Sequence, residues 1–280
     1  MKKATLVAGA YCALAISAPA FANEISPYTP VAGGGEAEIS WTRQSADSFN
    51  PGDARAPLPV DLNQTTVALD ASYGVTDKLA LDLRVGYGKS EFTVDPVLAP
   101  QGGLDGLTDI MIGARYKVID EVDGGPFTAT LGVAAIIDGG YRTGAITALG
   151  DGGSGGQVAL AFGKQLGPVS YSSSIGYRTR GNNVPDEIFG GSRLTLSFAD
   201  RFSVFGGLSF TDSTSGIDIG GPGFSPARFP EVEEDYKLWN VGGAVSFTDS
   251  LSLNATYGQK FDGKNTARSN FFRVGLGFSF

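Results

Sequence analysis

Polar and apolar residues alternate along most of this chain, most cleanly at its C-terminus. There Phe272, Val274, Leu276, Phe278 and Phe280 take one set of alternate positions, and Phe271, Arg273, Gly275, Gly277 and Ser279 take the other. In the segment before, Leu251, Leu253, Ala255 and Tyr257 oppose Ser252, Asn254, Thr256 and Gly258. A period of two places successive side chains on opposite faces of a strand, one apolar and one polar. Followed back along the chain, the same rule predicts strands at 36–44, 64–75, 78–90, 104–120, 126–138, 156–166, 168–180, 187–199, 202–212, 235–248, 251–262 and 266–280. Twelve is an even number, as a closed bacterial antiparallel barrel requires.

The connections between these strands alternate in length. Short links are expected at Val75 to Lys78, Asp120 to Gly125, Leu166 to Pro168, Ala199 to Phe202 and Thr248 to Leu251. Longer ones fall between them, at Ser45 to Asn63, Lys89 to Gly103, Gly139 to Gly155, Gly181 to Asp186, Ser213 to Glu234 and Asp262 to Thr266. Transmembrane barrels show this rhythm of short periplasmic turns and long external loops, which a soluble sandwich has no reason to keep. It would set both termini in the periplasm. Tyr73, Tyr87, Tyr116, Tyr177, Trp239 and Tyr257 fall on the apolar face towards strand ends, where an interfacial aromatic girdle belongs. The expected fold is therefore an all-β, up-and-down transmembrane barrel spanning 36–280, with the apolar face turned to lipid.

The N-terminus fits that destination. Lys2 and Lys3 precede an apolar run from Ala4 to Ile16, and Ala20, Phe21 and Ala22 give an A-x-A cleavage pattern. Residues 1–22 are expected to be a cleaved signal peptide, and 23–35 a periplasmic segment ahead of the barrel. Cys12 is the only cysteine and lies in the leader, so the exported chain has no disulfides to draw on. No later stretch approaches the roughly 18 apolar residues of a spanning helix. The 41 glycines and 14 prolines do not signal disorder, since prolines gather in the proposed loops and many glycines sit on the polar face of strands. A net charge of −8, more negative still without Lys2 and Lys3, argues against nucleic acid as a partner. The partners expected instead are outer-membrane lipid and lipopolysaccharide, and a small-molecule solute.

Two resemblances narrow this reading. The terminal Phe280, with aromatics at alternate positions before it, resembles the C-terminal signature of outer-membrane barrels, which implies the barrel assembly machinery as a partner. Tyr73-Gly74-Val75-Thr76-Asp77-Lys78-Leu79-Ala80-Leu81 and Gly106-Leu107-Thr108-Asp109-Ile110-Met111-Ile112-Gly113-Ala114-Arg115-Tyr116-Lys117 resemble the tyrosine-glycine turn and glycine-leucine-x-aspartate strand of a barrel family named for the meta pathway of phenol degradation. That resemblance implies a channel in the cell outer membrane for small, hydrophobic or aromatic molecules, and assigns no catalytic residues.

The chain contains no histidine, which removes the hydrolases and proteases that use it as base or orienter. No enzyme chemistry and no cofactor are expected. Carboxylate-only chemistry through Asp70 and Asp82 and a divalent cation site at Glu231, Glu233, Glu234 and Asp235 are the residual options, against field and packing roles and a solvated rim. The inward face reads as small: Thr128, Thr130, Gly132, Ser170, Ser172, Ser174, Gly176, Gly207, Ser209, Gly242, Thr256 and Gly275 among others. Twelve strands enclose more space than such residues fill, so the lumen should be open or closed by a folded-in segment.

Lumen-lining candidates are Asp70, Asp82, Arg84, Asp109, Arg115, Arg178, Arg180, Arg193 and Arg273. With Glu36 and Glu38, the acids occupy the first four strands, and Arg178, Arg180 and Arg193 sit on strands seven and eight. These arcs would face each other across the pore and create a transverse field, unless the charges are neutralised in pairs, as Arg84, Arg115 and Lys117 are placed to be. Apolar loop residues, among them Phe92, Val94, Val97, Leu98, Ile146, Leu149, Ile217, Ile219, Phe224 and Phe229, either capture solute at the mouth or pack on one another. Phe224 and Phe229 are the mouth-loop candidates. The gate is sought in the loop Ser213 to Glu234 or in the N-terminal segment Asn23 to Gly35. Passive diffusion of small molecules is the function this composition favours, and a non-conducting structural or adhesive barrel is the alternative.

Overall fold

The computed structural model describes residues 25–92, 104–143, 147–199 and 201–280; the proposed leader 1–22 and residues Val94, Val97, Leu98 and Ile146 lie outside these. Its strands are β1 (Gly35–Asn50), β2 (Ala56–Gly74), β3 (Leu79–Glu91), β4 (Leu104–Leu107), β5 (Ile110–Ile119), β6 (Thr128–Ile137), β7 (Gly155–Leu166), β8 (Val169–Arg180), β9 (Glu187–Phe198), β10 (Phe202–Ser213), β11 (Asp235–Thr248), β12 (Leu251–Lys264) and β13 (Thr266–Ser279). Each pairs antiparallel with its sequence neighbour, and β1 pairs with β13, closing the barrel. Because β4 and β5 both pair with β3, they are two pieces of one stave, and the barrel has twelve.

The alternating pattern settles which face is which. Ile39, Leu81, Ile112, Val133, Ile175, Leu194, Val241 and Phe272 are exposed on the outer wall, whereas Thr130, Ser174, Asn240, Asn254 and Arg273 are buried inside. The girdle tyrosines Tyr73, Tyr87, Tyr116, Tyr177 and Tyr257 all face outward, and Trp239 packs edge-on against Tyr257 with ring centroids 5.7 Å apart. The short turns lie at one end with Gly35 and Phe280, here called the near end; the loops lie at the other, the far end.

Two expected loops are not loops. Between Ser45 and Asn63 the hairpin continues as paired strand to Asn50 and Ala56, leaving a five-residue tip at 51–55. A register shift between Ala46 and Ser48 interrupts the strict alternation there, which hides the strand from a period-two rule. Likewise β12 and β13 run on to Lys264 and from Thr266, joined through Asn265 at φ 50°. Asparagine tolerates that left-handed conformation better than most residues.

The inward face is less uniformly small than its composition implied. Phe189, Phe205 and Phe271 all point into the barrel and are buried. Each lies directly opposite a glycine on the next strand, in the pairs Gly176–Phe189, Gly242–Phe205 and Gly258–Phe271. A Cβ at any of the three glycines would fall closer than 3.0 Å to the facing ring. The glycines thus provide seats for aromatic rings rather than empty lumen.

Candidate functional site

The site is the barrel interior, which is divided by height. At the near end the N-terminal segment turns over the rim and enters. Gly33 N–H donates to Gly74 O at 2.8 Å, Gly74 N–H to Gly34 O at 2.9 Å, and Ala32 N–H to the Asp77 carboxylate at 3.0 Å. Further in, Arg115 donates from Nη1 to Ser26 O at 2.9 Å and Tyr28 O at 2.7 Å, and the Thr130 hydroxyl donates to Pro27 O at 2.6 Å. Ile25 N–H reaches Ser174 Oγ at 3.3 Å. Gly132 and Gly163 admit this segment: a Cβ at the first would strike Ile25, and at the second Pro27 and Tyr28. Part of what was expected as a periplasmic segment therefore lies inside the barrel, against β5 to β8.

Arg115 is held for this task by Asp82, to which Nε and Nη2 each donate at 2.8 Å, and by Ser72 Oγ at 2.9 Å. A bidentate pair fixes the guanidinium plane, so its remaining nitrogen can grip two carbonyls. The middle layer is filled from the other side. Arg273 pairs with Glu38 and lies 3.6 Å from Asp70, which Arg84 meets at 3.3 Å. Glu38, Asn240, Asn254 and Arg273 are 0–2% exposed, so this side of the middle layer is closely packed.

Above it opens a chamber of about 350 Å³. Its lining combines apolar residues, Leu62, Met111, Leu149, Phe229 and Val232 among them, with charged groups. Arg180 pairs with Asp109 at 2.6 Å, Arg178 with Glu187 at 2.9 Å, and Lys260 with Glu234 at 3.0 Å. Asp109 sits at the interruption between β4 and β5, where Thr108 N–H still donates to Gly86 O at 2.9 Å, and it also accepts from Tyr141 O–H at 2.6 Å. The two arcs of charge are thus not opposite walls: Asp109 and Arg180 are in contact, and the expected transverse field is cancelled locally. Arg193 stacks its guanidinium 4.8 Å from the centroid of Phe205, and Arg178 does the same over Phe189. Phe189 and Phe205 are inward residues that sequence reasoning missed, whereas Phe271 shares the face already given to Arg273; glycine at the facing position of the next strand is the signal that could have located them.

Asp151 also lines the chamber, from the loop between β6 and β7. Burial, followed by the neighbouring Glu234 and Asp109 carboxylates, pushes its carboxyl up from the ordinary range, while Arg180 and Arg178 act in the opposite sense. Glu234 behaves differently: burial alone would raise it, but the Lys260 ammonium and a hydrogen bond from Thr266 hold it below the usual range.

The long loop before β11 roofs part of the chamber. Asn265 ties it down, donating to the Asp218 carboxylate at 3.0 Å and Glu233 O at 2.8 Å, and accepting from Ile219 N–H at 3.1 Å. Lys264 adds salt bridges to Asp218 at 3.0 Å and Glu233 at 3.3 Å. Phe229 faces the chamber and Phe224 packs against it from outside, with centroids 6.5 Å apart. Glu231 is taken by Arg228, and Asp235 accepts from Ser213 N–H, so the acidic run is spent on holding the loop. Among the described residues there is no group of three or more side chains arranged to hold a metal ion.

Residues 46–274 match the family described as "Putative MetA-pathway of phenol degradation". No curated protein sequence matches the chain. Among solved structures, an outer membrane channel from Pseudomonas putida F1 superposes with a TM-score of 0.70 at 15% identity, covering 94% of this chain and 100% of that one. The NanC porin follows at 0.54 and 9%, covering 86% and 98%. The translocator domain of an autotransporter from Neisseria meningitidis gives 0.51 and 14%, covering 88% of each chain. At these identities the likeness is one of fold.

Proposed function

From the premise that the chain belongs to the family described as "Putative MetA-pathway of phenol degradation", we propose that it is an outer-membrane channel for small molecules, closed at rest by its own N-terminal segment. The chamber is its external vestibule, and the near end with both termini faces the periplasm. One observation carries the reading: residues 25–30 lie inside the near end of the barrel, held by hydrogen bonds but not woven into the sheet. Such a segment can leave without breaking the wall. The apolar lining of the chamber and the family's association with phenol degradation support small, partly apolar solutes, aromatic ones included. The chain contains no histidine, which supports passive passage over histidine-dependent chemistry.

Conductance in planar bilayers tests this. The full barrel should give small or intermittent currents, and deletion of Ile25 to Pro30 should raise single-channel conductance several-fold, because it removes a segment that occupies the lumen beside β5 to β8. The close packing around Glu38 and Arg273 favours the other reading, a non-conducting structural barrel. Silent bilayers from both proteins, with folding shown by heat-modifiable migration, would establish that one instead.

A further inference from the structure

We propose that the chamber at the far end is a binding site for small organic cations, molecules with an ammonium head and a compact apolar body, and that Asp151 receives the head. The proposal deepens the channel reading, which it needs only insofar as the chamber must be reachable from solution.

The argument is one of charge pairing inside an enclosed space. Every cation of the chamber's lining already has a carboxylate partner: Arg180 has Asp109, Arg178 has Glu187 and Lys260 has Glu234. Arg84, at the floor, is engaged with Asp70. Asp151 is the acid without a salt bridge within 4 Å among the described residues; Glu234 and Asp109 disfavour its charged form, and the already paired Arg180 and Arg178 favour it from farther off. An anion entering the chamber would have to break one of three close salt bridges to find a cation. A cation need break none. Its arrival would also stabilise the charged form of a carboxylate that burial and its neighbours disfavour.

The rest of the chamber sets the shape of the ligand. Leu62, Met111, Leu149, Phe229 and Val232 give the lining apolar surface, which a bare metal ion would leave unsatisfied. At about 350 Å³ the space falls near the lower end of the roughly 300–1,000 Å³ usual for small-molecule pockets, enough for one ring and its head group. The apolar lining and the unpaired acid together select an aryl or alkyl ammonium ion.

Three probes of equal size and different charge decide the matter: benzylammonium, benzyl alcohol and benzoate. Each is titrated calorimetrically at neutral pH into the full barrel in detergent and into the Asp151→Asn barrel, so that partition into micelles is common to both. Benzylammonium should bind on the order of tenfold more tightly than benzyl alcohol, the value of a hydrogen bond to a charged group, with benzoate weakest. Asp151→Asn should erase the gap between the first two, and Asp151→Glu should keep the order of all three. Benzoate as the tightest binder would show that the arginines dominate and would overturn the proposal. So would equal binding of all three, no binding of any, or a gap that survives Asp151→Asn. Heat-modifiable migration establishes that each variant is folded. Binding of benzylammonium by a barrel that never conducts would sink the channel reading and leave this one standing; conduction without that binding would do the reverse.

Discussion

Arg115 and Gly176 show how much one position can decide here. Arg115 spends its donors on Asp82, Ser72 and two carbonyls of the N-terminal segment, so a single guanidinium joins the wall to the closure. Gly176 works by what it lacks. A Cβ there would meet the Phe189 ring and the Ala159 Cβ, while Phe189 itself is fully buried beneath Arg178. Gly176→Ala should cost about 1–3 kcal/mol, as overpacking does, and Phe189→Ala about 3–5 kcal/mol, as a lost buried ring does. The two should not add: with the ring gone, the methyl group has room, and the double variant should be more stable than the sum predicts by about 0.5–3 kcal/mol. Urea unfolding of the four proteins in lipid measures this, and strict additivity would mean that ring and glycine do not share the space.

The strap across the far end is the element with the clearest switchable chemistry. It rests on Asn265, whose side chain makes bonds to Asp218, Glu233 and Ile219 while its backbone holds a left-handed turn. Asn265→Gly keeps the turn and removes the bonds; Asn265→Ala removes the bonds and strains the turn as well. Both should raise hydrogen exchange across 214–234, and if only the alanine variant does so, the turn rather than the bonds holds the strap. Acid should have the same effect. Asp218 is lowered by its hydrogen bonds from Asn265 and Lys264, and Glu234 is lowered by Lys260 and Thr266 against the opposing effect of burial. A carboxyl whose folded value is depressed contributes stability above its unfolded value, roughly pH 4, and loses that contribution as pH falls through the folded one. Exchange in the strap should therefore rise below about pH 4 while the strands stay protected; a strap that loosens at pH 6 would point to other groups. The staves themselves were legible from period two alone, because lipid outside and polar groups inside impose it on every strand. The β1–β2 extension was not, since the shift at Ala46/Ser48 changes the phase of the pattern. Nor was the β4–β5 break: Thr108 and Asp109 look like any polar pair in sequence, and nothing local to them points to Arg180.

Across the whole molecule, the sequence disclosed the barrel and the two candidate closures but not how charge is arranged within it. Sequence places Asp109 and Arg180 on staves four and seven, and nothing local says that they touch. Composition likewise suggested a wide, small-walled lumen, whereas Phe189, Phe205 and Phe271 fill one side and residues 25–30 the other. The structure thus has a candidate closure at each end, the N-terminal segment below and, above, the strap that roofs part of the chamber. Electrically these are two resistors on one wire. Their resistances add, so relieving the smaller leaves the current almost where it was, and relieving the larger exposes the other. Deleting Ile25 to Pro30, deleting Ile217 to Phe229, and deleting both should give three conductances whose reciprocals share a consistent set of two removable resistances. The double deletion should then multiply current by more than the two single effects combined. If the strap deletion changes nothing even in the plugless barrel, only the lower resistor exists, and the vestibule stands open to the outside at all times.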